Sequence, residues 1–330
     1  MEKLKIYVTE RIANILEKDA EGFEFFKKDG RTVNKNALLT NLIINYYNSF
    51  TQRQTELVAF LKSKIYSTVS VKEKNLNDLC FDLCEKLNER SAAPNGEKFD
   101  KLVSLKPTKE SEPVIEYIES YCLMGRTLSE YFRSMFASYA ALPQDKRELI
   151  IFKQQYDAIT KAIKEKKRVF ITTRWGFNQK TECAPYDIAN SKEELHCYVL
   201  AATKNCYTIR LSRIVSVTQL ASDAEFTENH IKIFEKMKTY GPQFNYGNND
   251  EEVLVELTAK GIDKFKKIYV HRPVPDRVEN NYFYFNCSHS QVVQYFERFG
   301  ADARIIYPQS VRDEVYNFHR RALMRYSKKT

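Results

Sequence analysis

No apolar run in this 330-residue chain approaches the roughly 20 residues a bilayer-spanning helix needs. The opening segment MEKLKIYVTERI lacks the apolar stretch of a secretory signal. Cysteine occurs seven times, an odd number without the spacing of a disulfide framework. Cys80 and Cys84 lie four apart on an expected helix with no histidine nearby, which fits core thiols better than a metal site. Together these absences point to a reducing cytoplasm. Catalytic signatures are missing as well: there is no Gly-x-Ser-x-Gly, no phosphate loop and no His-Glu-x-x-His. The histidines His196, His230, His271, His289 and His319 are scattered, and only His196, beside Tyr198, neighbours a candidate site. The expectation is a protein with no catalytic residue, no metal and no cofactor.

What is present is positive charge and aromatic surface. Lys and Arg number 52 against 43 Asp and Glu, a formal net charge of +9. Such a field attracts polyanions without saying which. The 21 tyrosines and 21 phenylalanines supply core, and some could stack on exposed bases. The length predicts two or three domains, each with its own core.

The segment 3–8 alternates polar and apolar residues, as a half-buried strand does. Thr9 can cap a helix carrying Ile12, Ile15 and Leu16 on one face, and Asn34 can cap another carrying Leu38, Leu42 and Ile43. About a hundred residues later the order recurs. A strand-like stretch at 102–108 precedes a helix with Val114, Ile115 and Ile118, then the turn 125–129 and a further helix. The turns GRTVN (30–34) and GRTLS (125–129) match, with Asn34 and Ser129 at the expected capping position. Strand, helix, turn, helix is the order of a ribbon-helix-helix unit, and a ribbon needs a second strand to pair with. The halves, about 1–50 and 101–142, are expected to form an intramolecular pair inside a region spanning 1–145. A single genuine half pairing between chains is the alternative. The resemblance to ribbon-helix-helix proteins implies a ribbon facing the DNA major groove, with Lys3, Lys5, Tyr7, Ser104 and Lys106 outward. Lysines that only solvate an edge are the simpler reading. Helices at 57–66 and 76–87 look accessory, 91–96 reads as a loop, and 146–166 reads as a linker helix.

The next stretch is rich in β-formers at 168–174, 195–202 and 205–220, separated by turn-prone residues. It contains Pro185-Tyr186, Cys197-Tyr198-Val199-Leu200-Ala201 and Arg210-Leu211-Ser212-Arg213-Ile214. In order and spacing these resemble a WYL domain, a small Sm/SH3-like β-barrel of bacterial regulators, here over 167–222. Of that family's Trp-Tyr-Leu only Tyr198 is kept, and Thr181 stands where the family has an arginine. The candidate nucleic-acid-binding residues are Arg168, Arg174, His196, Tyr198, Arg210 and Arg213. Arg210 and Arg213 are three apart and would face opposite sides of an ideal strand. Tyr198 would either stack on a base or fill the barrel core.

Residues 223–330 read as strand, helix, strand, helix, strand and a basic final helix, with an exposed turn-rich loop at 241–250. Residues 300–306 and 308–312 resemble the WCX extension that follows WYL domains. That resemblance implies an α+β, ferredoxin-like fold and a role in dimerisation. The combination makes a multidomain α+β chain that resembles the WYL-domain accessory proteins of type VI-D, RNA-targeting CRISPR systems. The resemblance implies a non-catalytic homodimer that binds single-stranded RNA and stimulates the effector ribonuclease. A WYL regulator reading duplex DNA through its ribbon and sensing a nucleotide or single-stranded ligand through its barrel is the alternative. Pure scaffolding, with no salt-dependent nucleic-acid binding, is the third.

Overall fold

The computed structural model describes residues 2–68, 73–93, 96–174, 180–247 and 251–327. The loop expected at 91–96 and the one at 241–250 therefore fall partly outside the described residues. The fold is mixed α and β, with three small antiparallel sheets. The chain divides into two compact units, Met1–Tyr156 and Asp157–Thr330.

In the first unit, strand β1 (Leu4–Val8) alternates as its sequence dictates: Ile6 and Val8 are fully buried, and Lys5 and Tyr7 point outward. Thr9 ends the strand and caps helix α1 (Glu10–Gly22), accepting the Ile12 N–H at 3.4 Å. A tight turn follows, closed by a bridge between Phe26 and Val33. Its tip is held by Asp29, whose carboxylate accepts the Arg31 and Thr32 N–H groups at 2.9 Å and the Thr32 hydroxyl at 2.5 Å. Those donors hold the carboxyl at about 2, the Thr32 hydroxyl contributing most. A depressed acid stabilises the turn fully above its unfolded value and loses that contribution as pH falls through about 2. The Arg31 and Thr32 amide resonances should accordingly titrate near pH 2 and stop doing so in Asp29→Asn. A midpoint near 4 in the parent chain would contradict this.

Asn34 opens helix α2 (Lys35–Thr68) by accepting the Ala37 N–H at 3.2 Å. No glycine or proline interrupts its 34 residues, so the helix expected at 57–66 is its last third. Helix α3 (Glu73–Ala92) lies against it around Val58, Leu76, Cys80 and Cys84. Strand β2 (Lys101–Leu105), helix α4 (Glu112–Tyr121) and helix α5 (Leu128–Ala140) repeat the opening order. β1 and β2 pair antiparallel within the one chain, Lys5 opposite Ser104 and Tyr7 opposite Leu102. The matching turns differ at their caps, however. Thr127, not Ser129, caps α5, in a reciprocal box with Glu130. Ser129 instead donates to the Lys5 carbonyl at 3.3 Å. The expected linker helix is two helices, α6 (Gln144–Ile151) and α7 (Lys153–Lys164), broken at buried Phe152.

The second unit begins with a five-stranded antiparallel sheet of β3 (Lys167–Thr173), β4 (Lys180–Asn190), β5 (Cys197–Ala202), β6 (Cys206–Arg210) and β7 (Ile214–Asp223). Their order is β6-β5-β4-β3-β7. The run 205–220 is thus not one strand: a 3-10 turn at Leu211–Arg213 carries the chain from one edge of the sheet to the other. No ladder joins β6 to β7 among the described residues, so the sheet is curled rather than closed by pairing. Helix α8 (Glu228–Tyr240) covers it through Ile233, Phe234 and Met237, which pack on Leu200, Ala202 and Cys206.

A second sheet follows: β8 (Val253–Leu257), helix α9 (Ala259–Lys267), β9 (Arg277–Glu279), β10 (Tyr282–Phe285), helix α10 (His289–Phe296), β11 (Ala303–Tyr307) and helix α11 (Gln309–Ser327). Its order β11-β8-β10-β9 places the fourth strand beside the first and the third between first and second. A dense aromatic core of Phe265, Phe283, Phe285, Tyr295, Phe296 and Phe299 fills the space between this sheet and its helices.

Candidate nucleic-acid interface

Strand β5 is buried along its whole length, and this decides the role of Tyr198. Its ring is 9 % exposed, so it is core and no base can stack on it. Its hydroxyl donates to the Glu194 carboxylate. Burial, then that carboxylate, pushes the phenol well above its ordinary value, and the positive charges of Arg210 and Arg213 pull the other way. Arg210 is the cross-strand partner of Tyr198, and its guanidinium meets Nε2 of His196. His196 is 7 % exposed, buried at the start of its strand and not presented at an open edge. Its strand's start is locked by the Ser191 N–H, which donates to the His196 carbonyl at 2.9 Å.

The strand alternation that would put the two arginines on opposite faces does not reach Arg213, because the strand ends at Arg210. The 3-10 turn that follows buries Leu211 and Ser212 completely and leaves Arg213 exposed, its charge acting on the same phenol. Arg174 joins this end of the sheet through its N–H, which donates to the Arg213 carbonyl at 2.8 Å. The sheet therefore gathers Arg210, Arg213, Arg174, His196 and Tyr198. Arg168 is not among them. Its Nε donates to Glu182 Oε1 at 2.7 Å, and its charge acts on Cys183 and Tyr207. Glu194, which fixes Tyr198, was not singled out from sequence; it sits in a polar turn with no pattern to mark it.

On the ribbon, Lys3, Lys5, Tyr7 and Lys106 are exposed and Ser104 is half-buried. Leu102, 48 % exposed and opposite Tyr7, shares that outward face, as its two-residue spacing from Ser104 requires. The face therefore carries an apolar pair beside the Lys5–Ser104 pair. Lysine is a point charge that suits phosphate better than base edges.

No protein-family model matches this chain, and no curated protein matches it. Among solved structures it is similar to one described as "Crystal structure of a CRISPR Cas-related protein", with 19 % identity and a TM-score of 0.61 over 99 % of this chain and 94 % of that one. At that identity the likeness is one of fold. Proteasome accessory factor B/C of Arthrobacter aurescens aligns with 16 % identity and a TM-score of 0.25, over 71 % of this chain and 38 % of that one.

Proposed function

We propose that the chain is a non-catalytic, nucleic-acid-binding accessory protein of a CRISPR system. In this reading its N-terminal unit is a duplicated ribbon-helix-helix, its five-stranded sheet a WYL-type Sm-like barrel, and its last sheet a ferredoxin-like WCX domain. It binds single-stranded RNA and stimulates a type VI-D effector ribonuclease in the cytoplasm, as a homodimer. The observation that carries the RNA-binding part is the placement of Arg210 opposite Tyr198, with Arg213 following in the next turn and joined to Arg174 through its carbonyl. His196 holds Arg210 on the core side, and exposed Arg213 and half-buried Arg174 add positive charge at the same end of the sheet, where a phosphate would be attracted. The fold-level likeness to a CRISPR Cas-related protein supports the system assignment by analogy.

Fluorescence anisotropy with labelled single-stranded RNA, single-stranded DNA and duplex DNA, across a salt series, tests this. Arg210→Glu/Arg213→Glu should weaken single-stranded RNA binding on the order of tenfold or more and flatten the salt dependence. Unchanged affinity in a folded double variant would remove the sheet from the site. A second reading rests on the exposed lysines of the intramolecular ribbon: a regulator that holds duplex DNA there. Duplex preference abolished by Lys5→Glu would favour it.

A further inference from the structure

The ribbon's two outer edges are finished differently. In an antiparallel pair the N–H and C=O of one residue face the same way, alternately toward and away from the partner strand. The Lys5 and Tyr7 carbonyls accept from Ser129 Oγ at 3.3 Å and Arg133 Nε at 2.8 Å, so both residues face away from β2. Their register partners, Ser104 and Leu102, must then face away from β1. Two residues further along, Lys106 shows what such an edge accepts. Its N–H donates to Asn36 Oδ1 at 2.7 Å, and its carbonyl accepts from Asn36 Nδ2 at 3.0 Å. The Asn36 amide makes the two bonds a neighbouring strand would make. Among the described residues, no hydrogen bond from another element reaches the backbone of Leu102 or Ser104. Beside that edge lies a groove of about 220 Å³, floored by Leu16, Leu38 and Leu39 with Ala13 at its side.

We propose that this edge docks an extended segment of a partner protein. The segment adds as a third strand on β2, exchanging hydrogen bonds with Leu102 and Ser104 and lowering one apolar side chain into the groove. The chemistry argues against the other occupants. On that face a second copy's β2 offers only Leu105, buried in its own core, and Val103, half-buried and lining its own groove. A nucleic acid would meet an apolar floor and, at its rim, a lysine already paired: Lys35 Nζ lies 3.1 Å from Glu17. The partner segment should be short, apolar at alternate positions and free of proline at the paired residues.

The test is binding of the full chain to a short fluorescein-labelled peptide of alternating valine and threonine, compared with the same peptide N-methylated on its edge-facing residues. The plain peptide should bind with a Kd of about 10 to 100 µM, and the methylated one on the order of tenfold more weakly. Ser104→Pro removes the outward N–H without touching the β1 ladder, and Ala13→Phe fills the groove. Each should weaken binding on the order of tenfold with an unchanged circular dichroism spectrum. No saturable binding up to about 1 mM, or equal binding by both peptides, overturns the proposal. Because the peptide comparison uses the parent chain, a misfolded Ser104→Pro would leave the result decisive.

Discussion

Asp19→Ala should cost the N-terminal unit about 3–5 kcal/mol. The side chain is 2 % exposed and sits on α1, a helix whose other buried residues, Ile12, Leu16 and Ala20, are apolar. Its two oxygens are fully used. Oδ2 accepts Arg147 Nε at 2.6 Å and the Tyr139 hydroxyl at 2.7 Å, and Oδ1 accepts Arg147 Nη2 at 2.8 Å. Arg147 adds a bond from Nη1 to the Leu142 carbonyl at 2.6 Å. Three helices, α1, α5 and α6, thus meet at one carboxylate. The Tyr139 phenol is held well above its ordinary value, chiefly by burial and then by the carboxylate charge it donates to. Removing the carboxylate leaves the guanidinium with only the Leu142 carbonyl and takes away the acceptor of a buried phenol, and that penalty, more than the lost attraction, sets the size of the effect. Asp19→Asn should fall between parent and alanine variant. Asp19→Leu/Arg147→Met should recover most of the loss, because it removes both charges together. Urea denaturation followed by hydrogen exchange in α1 and α5 reports it. A loss in Asp19→Ala below about 1 kcal/mol would mean the cluster is solvated and the account fails.

The parts legible in the sequence were those whose local pattern and tertiary role agree. Leu4–Val8 alternates because one face of the ribbon is buried and the other is not, and strict alternation has one structural meaning. Its pairing with β2 followed from need, since a lone strand cannot bury its inner face. β4 shows the opposite case. KTECAPYDIAN holds a proline and little alternation, yet it is the central strand of the five. The register shift between Pro185 and Asp187 explains how: a bulge at that point lets a central strand tolerate a residue with no N–H to give. A bulge is an agreement between two strands and leaves no mark on either alone. The arrangement of the candidate site was hidden for the same reason. Arg210, Arg213, His196 and Tyr198 were visible as residue types, and their proximity depends on the 3-10 turn at Leu211–Arg213, inside a run that reads as continuous β. Tyr198 was offered either as a stacking surface or as barrel core, and it is core, since its burial is set by β4 and β6 on either side of its strand, which no local pattern shows.

Gly261→Ala is the substitution that should most damage the last sheet. Alanine is the better helix former by about 1 kcal/mol, so on propensity alone the change would stabilise α9. The space forbids it. A Cβ at position 261 would lie 2.1 Å from the Asp302 carbonyl oxygen and 3.1 Å from its carbon. The obstacle is backbone, and it is fastened. The same carbonyl accepts the Thr258 N–H at 3.1 Å, the Thr258 hydroxyl donates to Asp302 Oδ1 at 3.1 Å, and Lys264 Nζ reaches Asp302 Oδ2 at 2.7 Å. Thr258 is also the cap of α9, accepting the Gly261 N–H at 3.0 Å. Relieving the clash means lifting α9 from the turn that leads into β11, which breaks the cap's second attachment and opens the contact of Phe265 with the aromatic core. Overpacking of this kind costs about 1–3 kcal/mol, and a backbone obstacle belongs at the upper end, so the net loss should be about 2 kcal/mol. Hydrogen exchange should show it first in α9 and β11, and the RNA binding proposed for the five-stranded sheet should hold wherever the variant stays folded, because Arg210 and Arg213 lie outside the last sheet. A Gly261→Ala variant as stable as the parent would show that Asp302 can move, and that the glycine is there for another reason.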